Sequence, residues 1–255
     1  MNLTILGSGT CVPLLERGAP VNFLQIGAQN ILVDCGAGTL KQMTKAGIRY
    51  QDLDMICFTH FHPDHIDELP AILHALNWTP GFKRTKNLTL LGPKGFKTHF
   101  EKMVAPLGGV MPRPDTYQII IKEISTVFHL AEFEIHACKT KHCLESIAYK
   151  FKTGEKSIVI SGDCDYDDAL IKFCNHTDLL LLDCSFIHEH KMIGHLTAKE
   201  CGIIGLKAKV KKLILTHLYY EPHIESGLYD QYRLREARKN FETAILGEDF
   251  MVVGV

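Results

Sequence analysis

The sequence predicts an α/β fold in which two mixed sheets pack face to face, with helices on their outer faces. Three observations predict it. Short runs of apolar residues, or of alternating apolar and polar residues, predict strands in the first third of the chain. Patterns with helical periodicity are interspersed after them, and a second series of predicted strands follows. At 255 residues and 46% hydrophobic content, the chain can bury a sizeable core. Because no Pro-, Gly- or Ser-rich linker divides it, we expect a single domain over residues 1–255.

The opening third is predicted to be a meander of short strands. Three runs bounded by Gly, Asn or Asp lie at residues 3–6, 23–26 and 31–33. A short helix over residues 39–46 is expected to stop at Gly47, and a buried strand over residues 55–58 to end at Thr59 and His60. Apolar residues then recur at helical spacing, namely Ile66, Leu69, Ile72, Leu73 and Leu76. Pro70 fits this helix only in its first turn.

The middle of the chain returns to strands. A strand over residues 88–91 and a helix through Phe100 and Met103 come first. Four further strands are expected, at residues 119–121, 133–137, 147–151 and 158–160.

The last third alternates helices with strands. A short helix is expected after Asp163, followed by a strand over residues 179–182. Thr197-Ala198-Lys199-Glu200 has the form of a capping box and predicts the start of another helix. A strand over residues 213–215 ends at Thr216-His217, and a helix around residues 229–241 and a strand at 251–253 close the chain.

Four potential metal ligands fall within six residues: His60, His62, Asp64 and His65. In an extended segment His60 and His62 point to the same side, so both can reach one metal. Asp64 and His65 then turn away with the chain and can reach a second metal nearby. Imidazole nitrogen and carboxylate oxygen are ligands for zinc, and also for iron or manganese.

Three isolated residues follow predicted strands and complete a ligand set. They are His142, Asp163 and His217. Strand ends on one edge of a sheet converge, so these side chains are expected to meet the cluster there. Two adjacent metals need a bridging carboxylate and ligands from distant segments. The pattern predicts a two-metal site.

Bulk properties narrow the class of protein. The N-terminus has no basic, long apolar signal segment, and no apolar run is long enough to cross a bilayer, so we expect no membrane association. Nine cysteines, an odd number without a Cys-x-x-Cys spacing, predict core residues in the reducing cytoplasm. A net charge of −1 argues against extended nucleic-acid binding. The basic stretches around Lys83 and from Lys207 to Lys212 are interpreted as solvated faces.

The His-x-His-x-Asp-His run with its later His, Asp and His resembles the metallo-β-lactamase superfamily, whose fold is a four-layer αββα sandwich. It is most similar to the ribonuclease Z branch over nearly the whole chain. Further matching segments are Leu6-Gly7-Ser8-Gly9-Thr10-Cys11-Val12-Pro13, Val33-Asp34-Cys35-Gly36-Ala37-Gly38-Thr39, Asp183-Cys184-Ser185-Phe186 and Gly194-His195-Leu196-Thr197-Ala198.

The resemblance implies two divalent metal ions, with zinc expected ahead of manganese or iron. One would be held by His60, His62 and His142, the other by Asp64, His65 and His217, with Asp163 bridging. Asp64 would also position the nucleophile. His195 would protonate the leaving oxygen, oriented by Asp183, since a carboxylate on one ring nitrogen supports the protonated imidazole. Asp34 is expected to support the site without being a ligand, and a homodimer is implied.

The substrate is where this chain departs from that branch. Members of that branch that cut precursor tRNA usually carry an arm, inserted between the isolated His and the bridging Asp. Here only about twenty residues separate His142 from Asp163. These predict only a hairpin that turns at Thr153-Gly154-Glu155-Lys156. Small phosphodiesters, including cyclic nucleotides or short oligonucleotides, thus stand beside RNA as candidate substrates. Hydrolysis of a carboxyl-type bond (thioester, lactone or β-lactam) and metal binding without catalysis remain alternatives.

Overall fold

The computed structural model describes residues 1–113, 115–219 and 226–255, and contains two seven-stranded sheets within them. In the order in which they pair, the first sheet consists of β14 (Val252–Gly254), β1 (Asn2–Gly7), β2 (Val21–Ile26), β3 (Gln29–Val33), β4 (Met55–Cys57), β5 (Leu88–Gly92) and β6 (Ile119–Glu123). The second consists of β13 (Ile245–Leu246), β12 (Lys212–Thr216), β11 (Leu179–Asp183), β10 (Lys156–Ile160), β9 (Ile147–Thr153), β8 (Glu134–Lys139) and β7 (Val127–His129).

Both sheets are mixed, as predicted. In the first, β14, β1, β2 and β3 pair antiparallel, and β3 to β6 pair parallel. In the second, β7 to β10 pair antiparallel, and β10 to β13 pair parallel. The hairpin expected after His142 is β9 and β10, with Thr153 paired to Lys156 and Gly154 at φ 55° in the turn. Glycine takes that conformation without strain.

Helices cover the outer face of each sheet. They are α1 (Thr39–Lys45), α2 (Pro63–Ile66), α3 (Leu69–Trp78), α4 (Phe96–Val104), α5 (Asp168–Phe173), α6 (Ala198–Lys207) and α7 (Ser226–Arg238). Two 3-10 helices lie at Tyr50–Asp52 and His188–His190. In the described residues, no helix is long and apolar enough to span a membrane.

Successive side chains along each strand point to opposite faces of the sheet, and this alternation explains the four layers. Ile31 and Val33 of β3 face the core between the sheets, where Leu179 of β11 meets them. Leu32 points the other way and packs under α3 and α4. On the second sheet, Leu180 packs beneath α5 and α6 in the same way. Each such buried aliphatic side chain stabilises the fold by about 1.5–3 kcal/mol. The αββα sandwich is confirmed, and the core shared by both sheets supports the prediction of one domain, which stays a prediction.

The structure corrects several expected elements. The helical run through Ile66 and Leu76 is broken, because the N–H of Glu68 donates to the carbonyl oxygen of Cys35 and separates α2 from α3. The helix expected over residues 229–241 is shifted toward the N-terminus, and the strand expected over 133–137 is shifted toward the C-terminus. The short strands β7 and β13 were not predicted.

Candidate metal centre

The loop between β4 and α2 presents the dense His/Asp cluster. Asp34, which follows β3, accepts hydrogen bonds from the backbone N–H and the hydroxyl of Thr59 at 2.8 and 2.9 Å. The backbone is extended at His62, the residue that caps α2. His60 and His62 therefore share one side, and the first turn of α2 carries Asp64 and His65 away from them.

A first group of side chains comprises His60, His62, His142 and Asp163. His62 Nδ1 lies 3.0 Å from Nε2 of both His60 and His142. Asp163 Oδ2 lies 3.6 Å from His60 Nε2 and 3.4 Å from His142 Nε2. Four potential ligand atoms, from three segments distant in sequence, therefore face one point.

A second group adjoins the first and consists of Asp64, His65 and His217. Nε2 of His65 and Nε2 of His217 each lie 3.2 Å from Asp163 Oδ1, the other oxygen of the carboxylate in the first group. Asp64 Oδ2 lies 3.7 and 3.5 Å from the same two nitrogens. Asp163 thus offers one oxygen to each group, which is the arrangement of a bridging ligand.

Three buried atoms where the two groups meet make no hydrogen bond, although both nitrogens lie 3.2 Å from the oxygen: His65 Nε2, His217 Nε2 and Asp163 Oδ1. Leaving such atoms unpaired in a protein interior is costly, because they lose their water without replacement. A divalent cation with nitrogen and oxygen ligands would satisfy all three. The residues present therefore fit a metal ion, and that they bind one stays a prediction.

The second nitrogen of each buried imidazole is held by a neighbour. His65 Nδ1 donates to Asp34 Oδ2 at 2.8 Å, and His142 Nδ1 donates to the carbonyl oxygen of Gly194 at 2.9 Å. The hydroxyls of Thr59 and Ser185 lie 3.0 and 3.1 Å from Nδ1 of His60 and His217. Such partners fix the ring orientation and tautomer of a metal-binding histidine.

The local electrostatics favour neutral His60 and ionised Asp163, and they concentrate negative potential at His65. Burial, reinforced by neighbouring imidazoles, lowers the pKa of His60. Burial opposes ionisation of Asp163, but the charges of His217 and His65 outweigh it and hold the pKa of that carboxyl well below its usual range. At His65 burial is likewise outweighed, by Asp163 and Asp34, which raise its pKa. This position therefore favours positive charge, which a metal cation would supply in place of a proton.

His195 lies beside the second group. Its Nδ1 donates to Asp183 Oδ2 at 3.0 Å, and its ring stacks on that of His217 with centroids 5.4 Å apart. The other oxygen of Asp183 accepts a hydrogen bond from the Ser185 hydroxyl at 2.7 Å. His195 and Asp183, together with Asp163 and His217, form a further group whose ligand-type atoms lie within 4.8 Å of one another.

Ser185 is a site residue that the sequence analysis did not single out. Its hydroxyl lies 3.1 Å from His217 Nδ1 and 3.2 Å from His195 Nδ1, so it joins the two rings to Asp183. Its position two residues after Asp183, where β11 ends, is the signal that could have found it. His188 and His190 precede His195 in the chain but lie in the short 3-10 helix, outside both groups.

A cleft of about 300 Å³ opens against Asp64. Its walls come from the N-terminal loop and from the start of α2, with Thr10, Cys11, Pro13, Leu14, Arg17, Pro63 and Asp67 among the lining residues. Small-molecule sites usually begin at about this volume. The approach to the second group can therefore hold a ligand of modest size.

The lysines of the two basic stretches are exposed, as expected for solvated faces. Arg84 is buried, which differs from the solvated face expected, and it donates to the carbonyl oxygens of Gln51 and Leu53. Lys211 donates to Asp178 at 2.8 Å and Lys207 to the Tyr166 hydroxyl at 2.9 Å.

A family model described as Anti-Pycsar protein Apyc1 matches residues 1–234. Among curated proteins, ribonuclease Z of Archaeoglobus fulgidus is 27% identical over 309 aligned positions that cover 99% of this chain and 97% of the relative. Ribonuclease Z of Bacillus subtilis is 26% identical over 314 positions that cover 100% and 99%. Both alignments are longer than the 255 residues of this chain, so each relative carries residues that this chain lacks.

Solved structures share the architecture. The metallo-β-lactamase fold protein YhfI from Bacillus subtilis superposes with a TM-score of 0.83 at 23% identity, covering 99% of each chain. Human tRNase Z, short form (ELAC1), gives a TM-score of 0.79 at 22% identity, covering 100% of this chain and 99% of that one. At these identities the likeness shows a common fold.

Proposed function

The chain belongs to the family whose model is described as Anti-Pycsar protein Apyc1, and on that premise we propose that it is a two-metal hydrolase of phosphodiester bonds. It is a metallo-β-lactamase-fold protein similar to ribonuclease Z. The observation that carries the proposal is the pair of side-chain groups sharing Asp163, with the His195–Asp183 hydrogen bond beside them.

We assign His60, His62 and His142 to one metal, Asp64, His65 and His217 to the other, and Asp163 to both. Zinc is the metal we propose, because three to four nitrogen and carboxylate ligands per ion suit it; manganese and iron share that ligand set. Two such cations supply a nucleophile from water at neutral pH and stabilise charge on a phosphoryl group. The three buried atoms without a hydrogen bond where the two groups meet support this assignment.

His195 is the proton donor to the departing oxygen in this proposal. Because Nδ1 is committed to Asp183, Nε2 is the nitrogen left to face a substrate. Asp183 holds the ring in one tautomer and favours its protonated form. Asp64, beside both ring nitrogens of the second group, would orient the attacking water. An acid of this kind suits the alkoxide that a phosphodiester releases and argues against a thioester, whose thiolate departs without a proton. The similarity to ribonuclease Z favours phosphodiesters over lactones and β-lactams.

The substrates we propose are small phosphodiesters, including cyclic nucleotides and short oligonucleotides. The segment between His142 and Asp163 contains the tight hairpin of β9 and β10, with no room for an RNA-gripping arm. The cleft of about 300 Å³ against Asp64 has the size of a small-molecule site. Cleavage of longer RNA belongs to the same reaction class, so the test also includes a precursor tRNA.

The test is a substrate panel on one preparation of known metal content. It contains bis-p-nitrophenyl phosphate, cyclic nucleotides, a short oligonucleotide, a precursor tRNA and a lactone. We expect metal-dependent cleavage of the phosphodiesters, fastest for the small ones, and none of the lactone. Hydrolysis of the lactone alone would overturn the proposed reaction. Faster cleavage of the precursor tRNA than of the small phosphodiesters would overturn the proposed substrate size. Asp163→Ala, which removes the shared ligand, is the inactive control.

We further propose that the chain acts in the cytoplasm as a homodimer. All nine cysteines are free thiols, which supports a reducing compartment. Self-association is supported by the family resemblance, and light scattering of the purified protein tests it.

A further inference from the structure

Lys191 makes three hydrogen bonds just outside the candidate centre. Its ammonium donates to Asp165 Oδ1 at 2.5 Å, to the carbonyl oxygen of His195 at 2.7 Å and to Glu200 Oε2 at 2.8 Å. The side chain is only 27% exposed. Burial works to lower the pKa of Lys191, but its hydrogen bonds to the two carboxylates outweigh burial and raise it. With all three N–H donors engaged, Lys191 is built to hold protein groups in place.

Asp165 ties the same turn to the segment that carries the shared carboxylate. Its Oδ2 accepts a hydrogen bond from the backbone N–H of Gly194 at 2.9 Å. Its own N–H donates to the carbonyl oxygen of Lys141 at 2.7 Å. Asp165 lies two residues after Asp163, so the Lys191–Asp165 pair connects the turn before His195 with the loop that presents Asp163.

Gly194 connects that turn to the first group. Its carbonyl oxygen accepts the hydrogen bond from His142 Nδ1 at 2.9 Å, and its φ is +92°. A Cβ there would lie 3.1 Å from His142 Nδ1, which is tighter than ordinary packing. Only glycine suits both the conformation and the approach. The turn therefore touches a candidate ligand on one side and carries His195 on the other.

Glu200 provides a rigid anchor for the third bond of Lys191. The same oxygen, Oε2, accepts hydrogen bonds from the N–H and the hydroxyl of Thr197, closing the capping box at the start of α6. One ammonium thus joins the loop after β10, the turn at Gly194 and the first turn of α6. These contacts fix the position of the backbone at His195 from three directions.

We propose that Lys191, paired with Asp165, is a positioning residue that sets His195 for proton donation in phosphodiester cleavage. This rests on the proposed function, in which His195 is the acid. Lys191 does not touch substrate, because its donors are committed to Asp165, His195 and Glu200. Its removal should therefore act on the step that His195 assists, and the metal content of the variant is measured as well because the same turn contacts His142.

The experiment compares two leaving groups. The p-nitrophenolate of bis-p-nitrophenyl phosphate is a stable anion that departs without a proton, whereas the ribose alkoxide of a cyclic nucleotide or short oligonucleotide needs one. For Lys191→Met we expect kcat on the best ribose-leaving substrate to fall on the order of 10- to 100-fold, the size of effect that a small misplacement of a catalytic group produces. We expect kcat on bis-p-nitrophenyl phosphate and the metal content to stay near those of the unmodified protein.

Three further variants make the outcome decisive. Asp165→Asn should show the same selective loss. Lys207→Met is the matched control, because Lys207 is a lysine of α6 with a hydrogen bond to the Tyr166 hydroxyl and no contact with His195. The double variant Lys191→Met/His195→Ala should be no slower than His195→Ala, because the positioned group is then already absent.

The possible failures are distinguishable. If His195→Ala is selectively slow on the ribose-leaving substrate while Lys191→Met and Asp165→Asn are not, the positioning role is wrong and the proposed function stands. Equal loss on both substrates, or a double variant slower than His195→Ala by the full factor of Lys191→Met, also overturns it. If His195→Ala cleaves both substrates normally, the acid assignment fails and the positioning role fails with it.

Discussion

The Nδ1 nitrogen of His195 lies 3.0 Å from Oδ2 of Asp183, a carboxylate that is completely buried where β11 ends. Burial works to lower the pKa of His195, but the hydrogen bond and the charge of Asp183 outweigh it and raise that pKa. A histidine held in this way stays protonated to higher pH than a free one. That property is what a proton donor at neutral pH requires.

Replacing His195 by Ala is expected to lower kcat on a ribose-leaving phosphodiester on the order of 10² to 10⁴-fold, the usual contribution of a general acid. Metal content should not change, because His195 lies outside the seven assigned ligands. Steady-state kinetics and elemental analysis of the same sample measure both. His188→Ala, an exposed histidine of the preceding 3-10 helix, is the matched control. Unchanged turnover would rule out His195 as the acid.

Replacing Asp183 by Asn should move the high-pH limb of the kcat profile to lower pH. The acid must be protonated, so activity is lost as pH rises through the pKa of His195. Without the anionic partner that raises this pKa, the loss begins at lower pH. The profile of kcat against pH measures the shift, with exposed Asp168→Asn as the control for a lost charge. A high-pH limb that does not move contradicts the role of Asp183.

Replacing Asp34 by Asn should weaken metal binding about 10- to 100-fold, the usual effect of losing a partner that orients a ligand. Asp34 accepts from His65 Nδ1 at 2.8 Å and fixes the ring that faces the second group. Its φ of +63° is a conformation that Asn also tolerates, so the backbone should persist. Metal titration of the stripped protein measures the affinity, and Asp52→Asn, at an exposed ion pair with Arg49, is the control. Equal affinities would show that Asp34 is not needed for the site.

Removing the metals with a chelator should lower the melting temperature, and restoring them should reverse the change. Without a cation the buried atoms His65 Nε2, His217 Nε2 and Asp163 Oδ1 are unpaired. Binding to the folded state alone stabilises it by about 2.7 kcal/mol when free metal is 100 times the dissociation constant. Scanning calorimetry on samples of measured metal content tests this. A melting temperature that is independent of verified metal loss would argue against a metal centre.

Replacing Gly36 by Ala should destabilise the fold by about 1–3 kcal/mol, as overpacking does, and weaken metal binding at the second group. A Cβ at Gly36 would overlap the backbone carbonyl oxygen of Asp64 and press on Ala19. The start of α2 would have to move, and with it Asp64 and His65. Urea denaturation and metal titration measure the two effects. Gly108→Ala, where the added Cβ meets nothing within 4 Å, is the control and should be near neutral.

Local patterns in the sequence were enough to predict most elements. The capping box at Thr197 and Glu200 is present with both of its hydrogen bonds, and Pro70 lies in the first turn of α3, as expected. Two short strands were not predicted: β7 and β13 have only three and two residues, and runs this short show little periodicity. The break between α2 and α3 escaped as well, because it depends on the carbonyl oxygen of Cys35, thirty-three residues before Glu68 in the chain.

The sequence by itself predicted the two-sheet fold and the seven candidate ligands, because alternation along a strand, the spacing of four ligands in one loop and the position of three more after strands are local properties. Only the tertiary structure decided which oxygen of Asp163 faces which group, that Ser185 joins His195 to His217, and that Lys191 holds the turn before His195. These contacts join segments that are distant in the sequence, so their geometry depends on how the loops at one edge of the sandwich pack together. Sequence and packing both contributed to the His195–Asp183 pair: the sequence predicted that the two residues are partners, and packing set the 3.0 Å between His195 Nδ1 and Asp183 Oδ2.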